Sequence, residues 1–309
     1  MTNKEKYAQL CEREALPLHA QAWWIDAASK GKEWDVIILE NNGQIAAAWP
    51  YHITRRWRMS AILMPVHTQY SYVYIAPNAP SDTCAKLVNA LEETCLKARV
   101  GWFQIQGFFP EPLLETLRQH GYTTTPKVTY RIEKIPSSQD LPAFFSENKR
   151  RQLRKAKDLQ LIDLSISDFY TFQQSCWAAQ GKRIDYSTSW AESVLTEVLN
   201  HGQGRLLAAQ DGNGTLLASV FLAWDYKYAY YLLPSYQPTL KNQGAVAWLT
   251  KQALELAQEK GLAFDFEGSM IPSIASSYQQ FGGKAVTYQR IEKFYNPFMR
   301  IVLWLRQHL

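Results

Sequence analysis

The feature of this 309-residue sequence that most constrains its fold is an internal repeat. The heptapeptide VTYRIEK at 128–134 returns as VTYQRIEK at 286–293. Glycines keep a constant offset of 268 − 107 = 161 positions in two places, Gly107 with Gly268 and Gly121 with Gly282. Because a constant offset at several landmarks is typical of duplication, the sequence predicts two copies of one structural unit of about 150 residues.

Both copies show the same order of predicted elements. Antiparallel strands come first, at 34–53 and 206–224, around turn residues Asn42-Gly43 and Asn213-Gly214. A helix, a strand, a second helix that stops at a glycine and a last strand follow. The sequence therefore predicts an α+β fold in two domains, at residues 1–135 and 140–309, each a mixed β-sheet flanked by helices.

Composition narrows the class of protein. A hydrophobic content of 47% predicts packed cores rather than disorder. Apolar runs are too short for a transmembrane segment, and the polar amino terminus does not resemble a signal sequence, so we expect a cytoplasmic protein. The 4 cysteines and 6 histidines are scattered, which predicts reduced thiols and no metal site. The apolar segment 297–305 is expected to pack on the sheet, with contact to a membrane surface as the alternative.

Positive charge is concentrated in one stretch, predicted to form a helix over 148–159. Six basic residues fall within nine positions and no acidic residue lies among them: Lys149, Arg150, Arg151, Arg154, Lys155 and Lys157. Without them, 33 − 6 = 27 basic residues face 28 acidic ones, so the excess charge is local. Guanidinium groups one helical turn apart suit phosphate oxygens, whereas most charge runs are solvated surfaces; both interpretations stay open.

The order of elements resembles the GNAT (acyl-CoA N-acyltransferase) fold, twice in tandem. A more specific resemblance is carried by the basic segment 148–156, by 264–269 and by Phe281-Gly282-Gly283, with Trp49-Pro50 and 65–69 in the first half. These segments are similar to the Fem-like branch, which comprises peptidoglycan-bridge aminoacyltransferases and acetyltransferase-like relatives. The resemblance spans nearly the whole chain. It implies acetyl or aminoacyl transfer from an activated donor to an amine on a sugar- or peptide-containing acceptor.

The resemblance also implies where an acyl donor binds. In GNAT proteins a glycine-containing turn at a helix N-terminus holds the CoA pyrophosphate with backbone N–H groups. The matching residues here are Lys241, Asn242, Gln243, Gly244 and Ala245. Val246 departs from the family pattern, so an ordinary glycine at a helix start is the alternative. The matching place in the first half, 78–82, has no glycine, and we therefore expect acyl-CoA, or aminoacyl-tRNA, as a co-substrate of the second half, with no permanently bound cofactor.

Candidate catalytic residues lie at the predicted carboxyl end of the strand at 263–266, where ligands of α/β sheets usually bind. Glu267 is the candidate general base for the attacking amine. Ser269 or Tyr278 is the candidate proton donor or oxyanion donor. The resemblance suggests Lys293 as a further oxyanion stabiliser, although its repeat copy Lys134 favours a structural role. A helix cap or an ion pair with Lys293 is the alternative for Glu267.

Candidate substrate contacts come from both halves. The resemblance implies that Arg150, Arg151 and Arg154 face a nucleotide-sugar diphosphate or a tRNA. Residues expected to line a groove share aromatic or polar side chains suited to sugars and bases, with core packing as the alternative: Gln69, Tyr70, Trp177, Tyr186, Tyr230 and Asp265. The expected acceptor is a small molecule or a cell-wall-precursor-like compound, with tRNA as a further partner and no DNA.

Transfer is expected to be direct, since no cysteine or serine lies in a recognisable nucleophile motif. Two other functions fit the same sequence. One is a non-catalytic tandem-GNAT module that binds a nucleotide-sugar, an RNA or a protein, which the altered turn at 241–246 favours. The other is an RNA-binding transferase that uses the basic helix, for which binding would fall steeply with salt.

Overall fold

The computed structural model describes residues 1–29, 33–56, 59–156, 158–240, 244–268 and 270–300, without the side chains of residues 56 and 59. It divides into two compact units. The first unit contains Met1–Lys127 and Tyr288–Leu309, and the second contains Val128–Thr287.

The first unit is a mixed sheet with helices. Its elements in chain order are α1 (Asn3–Arg13), α2 (Ala22–Ser29), β1 (Trp34–Asn41), β2 (Gln44–Arg56), β3 (Met59–Leu63), β4 (Tyr74–Ile75), α3 (Thr83–Lys97), β5 (Val100–Gly107) and α4 (Glu111–Gln119). β1, β2 and β3 are antiparallel neighbours, and β3 pairs with β5 in parallel. The chain then enters β6 (Thr123–Ile132), which crosses the boundary between the units.

The second unit repeats this plan. Its elements are α5 (Leu141–Phe144), α6 (Glu147–Lys155), β7 (Gln160–Asp163), α7 (Ile166–Ala178), α8 (Thr188–Asn200), β8 (Gly204–Gln210), β9 (Leu216–Trp224), β10 (Tyr228–Tyr236), α9 (Ala245–Glu259), β11 (Ala263–Asp265), α10 (Pro272–Gln280) and β12 (Lys284–Phe294), the last ending in the first unit. β7 to β10 form an antiparallel meander, and β10 pairs with β11 in parallel. The predicted fold class is confirmed.

Local sequence signals explain where the helices of the second unit begin and end. Ser146, Ser165 and Ser187 each accept a backbone N–H of the first turn of α6, α7 and α8. Gly261 and Gly282 follow α9 and α10 with φ of 70° and 91°, values that close a helix in the left-handed conformation. The predicted glycine stops are therefore present.

The last strand of each copy lies in the unit that the other copy builds. Residues 131–132 of β6 pair antiparallel with β11 of the second unit. Residues 289–294 of β12 pair antiparallel with β5 of the first unit. The compact units thus differ from the consecutive division expected at 1–135 and 140–309, because the strands that contain VTYRIEK and VTYQRIEK are exchanged between the two units.

Candidate active site

An opening in the sheet of the second unit is created by β10 and β11. The two strands pair only over Tyr228–Tyr230, because β11 ends at Asp265 while β10 continues to Tyr236. A register shift against β9 between Leu232 and Ser235 marks a bulge at the same level. Among the described residues, β11 does not pair with β10 beyond Tyr230, so the two strands part at the carboxyl end of the parallel pair, where α/β sheets usually bind ligands.

A buried glutamine holds the bulge in β10. The side chain of Gln173, 1% exposed, donates to Leu233 O at 2.8 Å and to Ser219 Oγ at 3.1 Å, and accepts from Ser235 Oγ at 2.6 Å. Leu233 has a left-handed φ of 48°, which is strained for a leucine. Specific hydrogen bonds thus hold the bulge, and no local sequence pattern predicted it.

The equivalent opening in the first unit is filled by the chain itself. β3 leaves β5 after Leu63, and the following segment returns to β5 at Ser71, which bridges Gly107 in parallel. Ser71 N–H donates to Gln106 O at 2.7 Å, and a Cβ on Gly107 would lie only 2.2 Å from Ser71 O. A ligand cannot enter between β3 and β5 without displacing residues 64–73. The second unit is therefore the one with an open edge.

Glu267 and Gly268 form a tight left-handed turn directly after β11. Their φ angles are 57° and 71°. A Cβ on Gly268 would lie 2.4 Å from Val128 O, so only glycine fits beside β6. Glu267, a half-buried residue, is strained in this conformation, as residues at functional sites often are. Asp265 and Glu267 do not lie on one face of a strand, because β11 ends between them.

Asp265 is part of the framework and not of a substrate surface. Its side chain is 0% exposed and accepts from Thr129 Oγ1 at 2.5 Å, from Arg131 Nε at 2.7 Å and from Glu267 N at 2.8 Å. These bonds join β11 to β6 and fix the backbone of Glu267. The predicted substrate contact is corrected accordingly: Asp265 shapes the turn that carries the candidate base.

Tyr278 lies close to this turn on α10. Its ring stacks on Phe266 with centroids 4.5 Å apart. Burial, with smaller contributions from Tyr231, Glu267 and Asp265, raises the pKa of Tyr278 above its usual value of 10. The phenol therefore stays protonated at neutral pH and serves as a hydrogen-bond donor. Ser269, the other candidate donor, lies outside the described residues.

Lys293 lies in the first unit, within a network of its own. Its Nζ donates to Glu92 Oε1 and Oε2 at 2.8 and 2.9 Å and to His120 O at 2.8 Å, and it faces the rings of Tyr122 and Tyr295. Three acceptors use its three N–H groups. This geometry supports the structural role of Lys293 that its repeat copy Lys134 suggested. Lys293 forms its ion pair with Glu92 and not with Glu267.

The acidic residue Glu147, in the first turn of α6, partly neutralises the positive charge of this helix. Glu147 accepts from Arg150 at 2.9 and 3.0 Å and from Arg154 at 2.7 Å. Arg150 also donates to Phe145 O at 3.0 Å. Arg150 and Arg154 of the predicted phosphate clamp thus pair with protein acceptors, and Arg154 is exposed to solvent like Arg151. Lys157 lies outside the described residues.

Lys149 is a buried cation that the sequence analysis did not select. It is 6% exposed, its Nζ donates to Ser277 Oγ at 2.8 Å, and it lies 4.3 Å from the centre of the Phe281 ring. Burial lowers the pKa of Lys149 to about 8. Helical periodicity places Lys149 on a different face of α6 from Arg151 and Lys155. This difference was the only feature of the sequence that could have indicated its burial.

The predicted groove residues lie in different surroundings. Tyr230 is 2% exposed and donates to Asp225 at 2.6 Å, and Tyr186 is buried against Tyr170 and Trp190, so both pack in the core. Trp177 is half-buried in α7. In the first unit, the Gln69 amide donates to Tyr288 OH at 3.0 Å, and Tyr70 packs on the Tyr288 ring. The core alternative therefore holds for Tyr70, Tyr186 and Tyr230.

The turn before α9 is shaped by packing. Gly244 is the N-cap residue with φ 80°, and a Cβ there would lie 2.1 Å from Gln152 O of α6. This glycine is required by the close approach of α6 whether or not a phosphate binds. Ala245 is the first, buried residue of α9, and Lys241, Asn242 and Gln243 fall outside the described part of the chain.

The residues that the structure describes contain neither a cluster suited to a metal ion nor a membrane-spanning helix. No group of three or more His, Cys, Asp and Glu side chains there could hold a metal ion. No helix in the same residues has both the length and the apolar character needed to cross a bilayer.

Comparison with known proteins places the fold. Residues 144–274, all within the second unit, match the family model of the acetyltransferase (GNAT) domain. No curated protein matches the chain by sequence. Similar solved structures include FemX, with a TM-score of 0.75 and 9% identity over 98% of each chain.

Two other solved structures cover most of the chain. A tandem GNAT protein from the clavulanic acid biosynthesis pathway has a TM-score of 0.59 and 12% identity over 95% of this chain and 94% of its own. L-PGS from Bacillus licheniformis has a TM-score of 0.58 and 10% identity over 98% and 95%. The chain therefore has a tandem GNAT-like fold, as its sequence predicted, and its residues 144–274 match the model of the acetyltransferase (GNAT) domain.

Proposed function

We propose that this protein is an N-acyltransferase whose second unit binds the activated acyl donor. The observation that carries the proposal is the open edge of β10, which lies inside the segment that matches the acetyltransferase domain. Beyond Tyr230 the described residues of β11 do not pair with β10, and α9 begins shortly after β10 with its positive dipole end. The first unit has this place filled by residues 64–73, so we expect one donor molecule per chain.

We propose direct transfer from donor to amine. The only cysteine of the second unit, Cys176, is buried, and burial raises the pKa of its thiol to about 11, so it is not an available nucleophile. An amine of the acceptor would attack the acyl carbonyl carbon while Glu267 takes the amine proton. The C–S or C–O bond of the donor then breaks, and the same proton passes from Glu267 to the leaving sulfur or oxygen.

Tyr278 would stabilise the oxyanion rather than give up its proton. Because its pKa lies above the usual value for tyrosine, transfer of the phenolic proton to a thiolate of ordinary pKa is unfavourable. A hydrogen bond from the neutral phenol to the developing oxyanion carries no such cost. The backbone of Glu267 is fixed by Asp265, which would keep the base in place during the reaction.

The donor and acceptor classes are proposed from resemblance of fold. Acyl-CoA is the first candidate donor, and aminoacyl-tRNA is the second. An amine on a small molecule or a cell-wall-precursor-like compound is the candidate acceptor, since FemX has a similar structure. A non-catalytic module that binds these ligands is the second candidate function, favoured by the protein acceptors that occupy Arg150, Arg154 and Lys293.

Calorimetric titration of the full chain with acetyl-CoA, longer acyl-CoAs and aminoacyl-tRNA tests donor binding. Variants of Val246, the second residue of α9, separate charge from size: Val246→Asp should weaken CoA binding at least tenfold by repulsion of the pyrophosphate, whereas Val246→Asn, equal in size, should not. Equal effects of both variants, or two donors per chain, would contradict the proposed site.

Glu267→Gln tests the catalytic role. This variant keeps the size of the side chain but cannot accept the amine proton, so transfer should slow by about 10²- to 10⁴-fold while donor affinity stays the same. Donor binding without transfer in the wild-type protein, with every amine supplied, would favour the non-catalytic module.

A further inference from the structure

Helices α6 and α10 form one continuous surface of the second unit. Ser146 N–H donates to Gln280 O at 2.9 Å, and the Asn148 amide donates to Gln280 Oε1 at 2.8 Å. Lys149 reaches Ser277 at 2.8 Å. These hydrogen bonds hold the first turn of α6 against the last turn of α10, so the two helices belong to one region of the second unit.

Large apolar side chains are exposed along this surface. Met270 is 60% exposed just before α10, Ile274 is 37% exposed in its first turn, and α10 has no buried residue. Phe144, 40% exposed, lies with its ring against Gly282 at the other end of α10. Apolar side chains of this size gathered around one short helix are typical of an interaction surface.

Positive charge is exposed on α6, the other helix of this pair. Arg151 and Lys155 are exposed one turn apart on α6, and Arg151 lies one turn from Asn148, which contacts α10. The acid of this helix, Glu147, is already paired with Arg150 and Arg154. The helix therefore has an excess of positive charge directed to solvent.

We propose that this α6–α10 surface (Phe144, Arg151, Lys155, Met270 and Ile274) binds the surface of a membrane that contains anionic lipids. Basic side chains would contact the phosphates of the headgroups, and the apolar side chains would enter the boundary between headgroups and acyl chains. The aliphatic character of Met270 and Ile274 favours lipid over RNA, because nucleobases stack on aromatic side chains. The proposal does not depend on acyl transfer by this chain.

Vesicle flotation of the full chain tests this surface. We expect the protein to float with vesicles of phosphatidylcholine and phosphatidylglycerol, and to remain unbound with phosphatidylcholine alone. Arg151→Gln/Lys155→Gln removes two charges and should weaken binding about tenfold or more. Met270→Ser/Ile274→Ser removes apolar contacts and should weaken it by a similar factor.

Matched variants elsewhere in the second unit control for charge and for surface hydrophobicity. Lys182→Gln/Arg183→Gln removes two exposed charges, and Leu199→Ser removes an exposed apolar side chain; both should float like the wild-type protein. Melting temperatures confirm that all variants are folded.

Failure of the wild-type protein to bind anionic vesicles would overturn the proposal. So would equal loss of binding in the control variants. Binding that depends on Arg151 and Lys155 but is unchanged in Met270→Ser/Ile274→Ser, together with competition by tRNA, would show a nucleic-acid surface instead.

Discussion

At the scale of single residues, Lys149 is a lysine whose ionisation depends strongly on the fold. Its pKa of about 8 lies below the 10.5 of an exposed lysine, because burial penalises the ammonium form. Below pH 8 the Lys149 side chain is charged in both the folded and the unfolded protein, and the folded protein carries the free-energy penalty of a buried charge. Between pH 8 and 10.5 the unfolded state binds the proton more tightly, so stability should rise with pH in this window.

Lys149→Met should remove this pH dependence. We expect the variant to be more stable than the wild-type protein by about 1–3 kcal/mol at pH 7, with the difference shrinking towards pH 10. Urea unfolding at a series of pH values measures both effects. Lys155→Met changes an exposed lysine of the same helix and should leave the pH dependence unchanged. A constant difference between Lys149→Met and wild type at every pH would contradict the buried-charge explanation.

A second prediction at this scale distinguishes a structural role of Lys293 from a catalytic one. Burial raises the pKa of Glu92, but hydrogen bonds from Lys293, Tyr122 and Tyr295 lower it overall. The pair therefore stabilises the fold above the ordinary pKa of a glutamate, and this contribution is lost as pH falls through the lowered value. Lys293→Met should cost about 1–3 kcal/mol at pH 7, because Glu92 keeps a half-buried charge without its partner.

The double variant Lys293→Met/Glu92→Gln should recover part of that loss, which a thermodynamic cycle from unfolding curves would show. Transfer by the folded Lys293→Met protein should equal that of the wild-type protein. A hundredfold slower transfer at unchanged donor affinity would instead support the oxyanion role that the resemblance suggested.

At the scale of elements, the bulge in β10 links stability to donor binding. Gln173→Leu would leave Leu233 O, Ser219 and Ser235 without their buried partner, at a cost of about 1–3 kcal/mol. Without its anchor the bulge should relax towards regular pairing, and we expect acyl-CoA affinity to fall at least tenfold.

Graded and matched variants make this test specific. Ser235→Ala removes one of the three hydrogen bonds and should have an intermediate effect on acyl-CoA affinity. Tyr122→Phe removes a buried hydroxyl of the first unit, which bonds Tyr295 at 2.7 Å, and should lower stability without changing affinity. Equal acyl-CoA affinity of Gln173→Leu and wild type would show that the bulge does not shape the donor site.

Elements also show where prediction of the site succeeded and failed. Glycines, prolines and serines at helix ends are local signals, as Ser146 before α6 and Pro272 at the start of α10 show, but α6 ends at Lys155 and not at the predicted residue 159. The ion-pair partner of a charged side chain is not a local signal. Arg131 and Asp265 are 134 positions apart in the sequence, and Lys293 and Glu92 are 201 positions apart. Glu147 was adjacent to the basic run and detectable, because an acid three or four positions from an arginine pairs with it on a helix.

At the scale of the whole molecule, duplication made the fold predictable and its strand exchange unpredictable. The repeat established two copies of one α+β plan, which the structure retains. The final strands, VTYRIEK and VTYQRIEK, are nearly identical, so either strand offers the same hydrogen bonds and the same alternation of side chains to either sheet. Residue patterns cannot distinguish a strand that returns to its own sheet from one that enters the other.

The exchange predicts which fragment of the chain folds alone. A fragment of residues 128–287 contains β6 residues 128–132 beside β11, with Thr129 and Arg131 as the partners of Asp265. A fragment of residues 140–309 follows the domain boundary expected from sequence but lacks all of them. It would bury the Asp265 carboxylate without those partners and leave β11 as an open edge. We expect cooperative urea unfolding from fragment 128–287 and none from 140–309.

Adding a peptide of residues 123–135 to fragment 140–309 should restore cooperative unfolding, since it supplies the missing strand and both partners of Asp265. The same peptide with Thr129→Val and Arg131→Met provides the strand without the hydrogen bonds and should be far less effective. Equal free energies of unfolding for the two fragments would mean that the second copy folds as a consecutive domain. In that case the second copy would not need β6 in order to fold.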